Sequence, residues 1–293
     1  MVTEQLRLSP SAVITYIRCP REFYYSYILR LQQPVNIHLI KGTLVHTVFE
    51  KLFGKTYRPD FEIYSEELFW TAFKEKEDEW NSLNLTKEDS DMGKEDCLNI
   101  IYMYIMQLRF KIDFLKRAGK AKNDRHAFYI LKPKVKELWL EDKELGLCGY
   151  IDRVHTDYDG KLIISDYKTS SKFGTGLKDE YRLQCGIYAL LYKRCLDIIA
   201  DKVSVIYARY GQEQTATVTP DLIQHSLIMV KFVRENTKTT IKENYPKKEC
   251  NFCKYCSWFD KCSGIEKLEQ DIKIDKTIEE LKNATTKQVE TNK

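Results

Sequence analysis

The stretch "GYIDRVHTDYDGKLIISDYKT", residues 149 to 169, constrains this chain more than any other. Two alternating, β-rich runs meet at Asp159-Gly160, a strong turn signal, so the segment is predicted to be a β-hairpin. It nevertheless carries Asp152 on its first strand, and Asp166 and Lys168 at the end of its second. Carboxylates are depleted from strands, and charge placed beneath helices is costly unless something compensates it. Side chains alternate with a period of two, so Asp166 and Lys168 share one face and Tyr167 takes the other. The chain reversal lets Asp152 lie beside Asp166. Two carboxylates and an ammonium in a small volume suit a hard divalent cation. The lysine then stands where it can orient or deprotonate a water, or offset charge on a phosphate. An exposed cross-strand ion pair is the plainer alternative for such a trio.

Around the hairpin, helical and strand patterns alternate. "LSPSAVITYIRCPREFYYSYILRL" reads as a helix with Ser9 as N-cap and Pro10 at its first position. A second helix is predicted after Gly42, with Leu44, Val45, Val48, Phe49 and Leu52 on one apolar stripe, His46 beside it and Glu50 a turn on. Residues 65–82 and 94–118 read as two more helices, forming a helical insert over about 60–125 that ends in the basic loop "KRAGKAKNDRH". Strands are predicted at 134–140, 202–209 and 214–219 beside the hairpin, with helices at 178–198 and 221–242. This order gives an α/β fold, a mixed sheet flanked by helices. From about residue 264 the chain is rich in Lys, Glu and Thr and reads as a charged C-terminal tail.

With 43% hydrophobic and 31% charged residues, the 293-residue chain has a soluble globular composition. It has no run of eighteen apolar residues and no charged-then-apolar leader, so a cytoplasmic, unanchored protein is expected. A net charge of +4 permits an anionic partner without requiring one. Nine cysteines, an odd number without an export signal, argue against a disulfide framework. Cys97, Cys148, Cys185 and Cys195 lie in apolar segments and read as core thiols. Cys250, Cys253, Cys256 and Cys262 crowd into thirteen residues and suggest metal. A local zinc site using all four is one solution. A [4Fe–4S] cluster that takes Cys19 and leaves Cys250 spare is the other.

At this point the sequence resembles the PD-(D/E)xK nucleases, in their RecB-like branch. "GYIDRV" followed by "DYK" is similar to the family's core, and four further stretches support it in order. They are "LSPSAVITYIRCPREFYY", the Gly-x-x-x-His of "GTLVHTVFE", the Gln-x-x-x-Tyr of "YRLQCGIYALLY", and the terminal Cys-x2-Cys-x5-Cys of "CKYCSWFDKC". The resemblance implies a restriction-endonuclease-like fold over residues 1–263. It implies His46, Asp152, Asp166 and the carbonyl of Tyr167 as ligands of Mg2+ or Mn2+, and Lys168 as the catalytic lysine. Glu137 matches the acid that the branch places on the preceding strand, and Gln184 and Tyr188 are implied to support the site and touch substrate. In the AddB-type and CRISPR-adaptation nucleases it resembles, one early and three late cysteines hold an iron–sulfur cluster, here Cys19 with Cys253, Cys256 and Cys262; Cys250 departs from that pattern.

The expected function is therefore metal-dependent hydrolysis of DNA phosphodiesters, as an exonuclease on single-stranded or end-containing DNA. The setting is repair, recombination or CRISPR adaptation. Lys116, Arg117, Lys120, Lys122 and Arg125 of the basic loop, with Lys172 and Lys178, are candidates to track the backbone. A solvated surface turn is the alternative for that loop. No Gly-x4-Gly-Lys-Ser/Thr motif is present, so a helicase motor would be a partner. Two rivals stand: a catalytically silent DNA-binding scaffold, and a zinc-stabilised RNA-binding protein.

Overall fold

The computed structural model describes residues 6–54, 56–170, 173–174, 176–250 and 253–263. Lys172 and the tail from 264 onward lie outside the described residues. The chain divides into two compact units. One comprises residues up to 14 with 34–238, and the other 15–33 with the residues from 239 on.

The first unit is built on five strands: β1 (Val135–Asp142), β2 (Leu147–Thr156), β3 (Leu162–Lys168), β4 (Lys202–Tyr207) and β5 (Gln212–Thr217). They stand in chain order, antiparallel except for the parallel pair β3–β4. A parallel neighbour needs a crossover. Helix α8 (Asp179–Leu196) supplies it, ending at Asp197 in the left-handed conformation. The fold is thus a mixed sheet flanked by helices, as the sequence pattern predicts.

Helices α3 (Ile37–Leu52), α4 (Phe61–Glu75), α6 (Lys87–Arg117) and α7 (Asp124–Leu131), with short α5 (Glu77–Asn81), share a core that reaches Tyr167 and Ile206 of the sheet. Their starts follow local capping. Asn36 accepts from the Leu39 N–H at 2.9 Å, Thr86 from that of Asp89 at 3.1 Å, and Asn123 from that of His126 at 2.9 Å. Hence α3 starts five residues before Gly42, and the basic loop is only a turn, because residues 124–131 continue as helix. Helix α9 (Pro220–Asn236) packs on α8 where Gly186 leaves room for it: a Cβ there would meet Leu222 Cδ1 at 2.9 Å. Arg234, in the last turn of α9, donates to the Leu145 carbonyl at 2.9 Å and to those of Leu6 and Gly146, tying down the β1–β2 turn.

The second unit joins an early and a late piece of chain. The predicted single N-terminal helix is broken at Cys19-Pro20 into α1 (Pro10–Arg18) and α2 (Pro20–Phe23), followed by a wider turn over Tyr24–Ile28. Proline removes a helix N–H and clashes with the preceding turn, so Cys19 adopts extended backbone between the two. Phe23 packs edge-on against Tyr16 at 5.4 Å and stacks on Tyr245 at 6.2 Å. Arg21 donates to the Tyr245 carbonyl at 2.7 Å, and Trp258 Nε1 to Ser26 at 2.9 Å. A short helix, α10 (Phe259–Ser263), closes the described chain.

Candidate active site

The β2–β3 register pairs Arg153 with Ser165 and so carries Asp152 opposite Asp166. Tyr167 turns to the α3–α6 side, where its hydroxyl lies 3.2 Å from that of Tyr104 and Arg153 donates to Tyr104 at 2.9 Å. Asp166 and Lys168 turn towards α8. There Lys168 Nζ forms an ion pair with Asp166 Oδ2 at 2.7 Å and donates to Gln184 Oε1 at 3.0 Å, while Gln184 Nε2 donates to Asp166 Oδ1 at 3.4 Å. Burial pulls the Lys168 ammonium down, but Asp166, with smaller help from Tyr181 and Asp152, holds it above its ordinary range. Lys168 is therefore a cation here. Its ammonium also lies 5.1 Å from the centre of the Tyr181 ring, a contact not expected from the motifs although Tyr181 precedes Gln184 by one helical turn.

Asp152 looks the other way. Its Oδ2 accepts the Tyr167 backbone N–H at 2.8 Å and lies 3.5 Å from His46 Nδ1 on α3. One ligand atom each from His46, Glu137 and Asp152 fall within 4.8 Å of one another. The structure thus gathers three prospective ligands around His46 and leaves Asp166 engaged with Lys168 and Gln184. Glu137 arrives by an unusual route. It is in register with Asp152, but at φ +47° it departs from the pleat, while Lys136 and Leu138 on either side pair normally with Arg153 and Ile151. A side chain in the left-handed region is strained, and such strain concentrates at functional sites. Burial, with repulsion from Asp152, Glu50 and Asp166, pushes the Glu137 carboxyl up to about 7. Burial and Asp166 likewise raise Asp152, against the pull of His46, the Tyr167 N–H and Lys168. These half-buried acids repel one another and suit a cation.

Tyr188 is buried one turn beyond Gln184, and its hydroxyl is raised by burial and by Asp166 and Asp152. Two members of the basic loop already have partners. Lys116 pairs with Asp124 at 2.5 Å and Asp113 at 3.2 Å, and Lys120 pairs with Asp159 at 3.3 Å over the Tyr158 ring.

In the second unit, burial raises the Cys256 and Cys262 thiols, and Cys19 raises both further; Cys253 also acts on Cys262. Cys19, Cys253, Cys256 and Cys262 are all free thiols of intermediate burial. Cys250 is exposed and contributes its backbone N–H to Cys253 Sγ at 3.3 Å.

Residues 7–263 match the model of the PD-(D/E)XK nuclease superfamily. Among curated proteins the chain is similar to a subunit of the ATP-dependent helicase/deoxyribonuclease of Streptococcus mutans, 26% identical over 193 residues. That match takes in 61% of this chain and 16% of that protein. The corresponding protein of Streptococcus agalactiae is 26% identical over 191 residues, 60% of this chain and 16% of the relative. The chain thus corresponds to about a sixth of the relatives it matches. Among solved structures, a candidate exonuclease from Eubacterium rectale superposes with a TM-score of 0.48 at 13% identity, over 86% of this chain and 87% of that one. No helix among the described residues is long and apolar enough to cross a membrane.

Proposed function

Because the chain belongs to the PD-(D/E)XK nuclease superfamily, we propose that it is a metal-dependent deoxyribonuclease working through His46, Glu137, Asp152, Asp166 and Lys168. The observation that carries this reading is the convergence of His46, Glu137 and Asp152 within 4.8 Å, with the two acids raised by burial and mutual repulsion. These three would hold Mg2+ or Mn2+, with Asp166 and the Tyr167 carbonyl as further oxygen donors. Such an ion supplies the Lewis acidity that makes water a nucleophile towards a phosphodiester. Lys168, kept protonated by Asp166, offsets the negative charge that grows on the phosphate, and Gln184 holds its ammonium in place.

The proposed substrate is single-stranded or end-containing DNA, degraded as an exonuclease. Likeness to proteins whose name joins a helicase to a deoxyribonuclease supports DNA as substrate and a motor as partner. CRISPR adaptation is the other setting that the sequence motifs support. The test is cleavage of an end-labelled single strand in Mg2+ or Mn2+. Asp152→Ala, Asp166→Ala and Lys168→Ala should each lower the rate by roughly 10²–10³-fold while DNA binding persists. Undiminished cleavage by Asp166→Ala would remove that residue from the site. A wild-type chain that binds DNA and never cuts it is the scaffold instead.

The cysteines carry a second proposed group, a [4Fe–4S] cluster held by Cys19, Cys253, Cys256 and Cys262. Four unbridged thiols, with a backbone N–H already directed at Cys253 Sγ, support this reading. Cys250 stays outside this set because its side chain is exposed while its backbone makes that bond.

A further inference from the structure

Trp139 on β1 and Tyr150 on β2 are direct cross-strand partners, with ring centroids 4.7 Å apart at 52°. Both remain open to solvent, Trp139 at 44% and Tyr150 at 55% of full exposure. Tyr150 stands two residues along β2 from Asp152, about 7 Å between Cα atoms of a regular strand, and Trp139 two residues along β1 from Glu137. On β1, Glu141 lies two residues further on, and its charge is offset by Arg7 at 3.6 Å.

From this placement we infer that Trp139 and Tyr150 form a stacking platform for an unpaired nucleobase of the strand being cut, a substrate subsite that rests on the nuclease reading above. A cross-strand aromatic pair also steadies a hairpin, and this one does so while leaving about half of each ring open to solvent. A protein partner is a poor occupant. A stable interface needs about 800 Å² on each side, and two half-exposed rings offer on the order of 200 Å². A single base is the ligand of matching size. Every base presents an apolar π-face of that extent, provided it is not stacked inside a duplex. The platform therefore selects for unpaired DNA at the point of cleavage, and it takes the base of the nucleotide whose phosphate faces the acids, or that of its neighbour.

The experiment measures binding of the full chain carrying Lys168→Ala to two short oligonucleotides: an ordinary single strand and the same sugar-phosphate strand with abasic sites at its centre. The ordinary strand should bind roughly tenfold more tightly, the usual worth of one base on an aromatic ring. Adding Trp139→Ala with Tyr150→Ala should erase that preference and leave abasic binding unchanged; Trp139→Phe should keep most of it. A 2-aminopurine at the preferred position should be quenched only when the platform is intact. Equal affinity for the two strands, or an equal loss on both in the double variant, overturns the platform. Wild-type cleavage in Mg2+, assayed in parallel, reports separately on the nuclease reading. A chain that prefers bases but never cuts refutes only that reading, and one that cuts without preferring bases refutes only the platform.

Discussion

Glu137 holds its carboxylate beside Asp152 through a left-handed backbone that costs about 1–3 kcal/mol in a residue with a Cβ. Its proton gives the cost a measurable sign. The folded chain raises its pKa from 4.5 to about 7, so the folded state binds the proton more tightly than the unfolded one. That contribution is complete below about pH 4.5 and is lost as the pH rises through 7. Without divalent metal, the melting temperature should therefore fall by a few degrees from about pH 5 to about pH 8, with Asp152 acting in the same direction. Glu137→Gln should flatten this slope, and a scan that shows the slope unchanged would place its source elsewhere. Mg2+ or Mn2+ should raise the melting temperature more at the higher pH, where protons no longer compete for the acids. At this scale the shared face of Asp166 and Lys168 was legible in the sequence, because period two alone decides which side chains share a face. The inward turn of Glu137 was not, since it depends on a backbone kink that no residue type announces.

Elements were legible where pattern and cap agree. Asp159-Gly160 turns β2 into β3, and Thr219-Pro220 starts α9 with the Thr219 side chain accepting from Leu222 at 3.2 Å. They were misjudged where a cap was overlooked. Asn36, Thr86 and Asn123 each begin a helix earlier than the apolar stripe does, and Pro20 divides what reads as one helix. The α8–α9 contact offers the sharpest test of packing. Gly186→Ala would press a methyl group into Leu222 and Ser226 and should destabilise the chain by about 1–3 kcal/mol in chemical denaturation. An unchanged midpoint would show that α9 can yield. Because α8 also carries Gln184 and Tyr181 against Lys168, the same substitution should lower cleavage without altering its metal requirement. The basic turn asks for a smaller expectation than its composition suggests. Lys116 and Lys120 are already paired within the protein, so reversing Lys120 to Glu should change the salt slope of DNA binding by less than one ion. A full unit of slope would show that Lys120 leaves Asp159 for phosphate.

Across the whole molecule, the order of the chain sets what the cysteines can do. The second unit is assembled from residues 15–33 and from 239 onward, so nearly all of the first unit's sequence lies between Cys19 and Cys253. A cluster shared by those cysteines closes a loop of more than two hundred residues. Constraining an unfolded chain of that length contributes about 5 kcal/mol in a loop-closure model, comparable to the net stability of many domains. A local site on Cys250, Cys253, Cys256 and Cys262 closes only a short loop and contributes about 3 kcal/mol in the same model. The two solutions therefore differ in stability as well as in composition. Anaerobically purified chain should be brown, with iron and acid-labile sulfide and little zinc. Cys19→Ala should lose the colour and melt on the order of 10 °C lower, with cleavage falling at temperatures where the wild type is still folded. Cys250→Ala should keep both colour and melting point, because its backbone N–H, the group that meets Cys253 Sγ, survives the substitution. If Cys250→Ala loses the metal and Cys19→Ala does not, the local site holds, and the early and late segments are joined by contacts such as those of Arg21, Trp258, Lys248 and the aromatic stack around Tyr245.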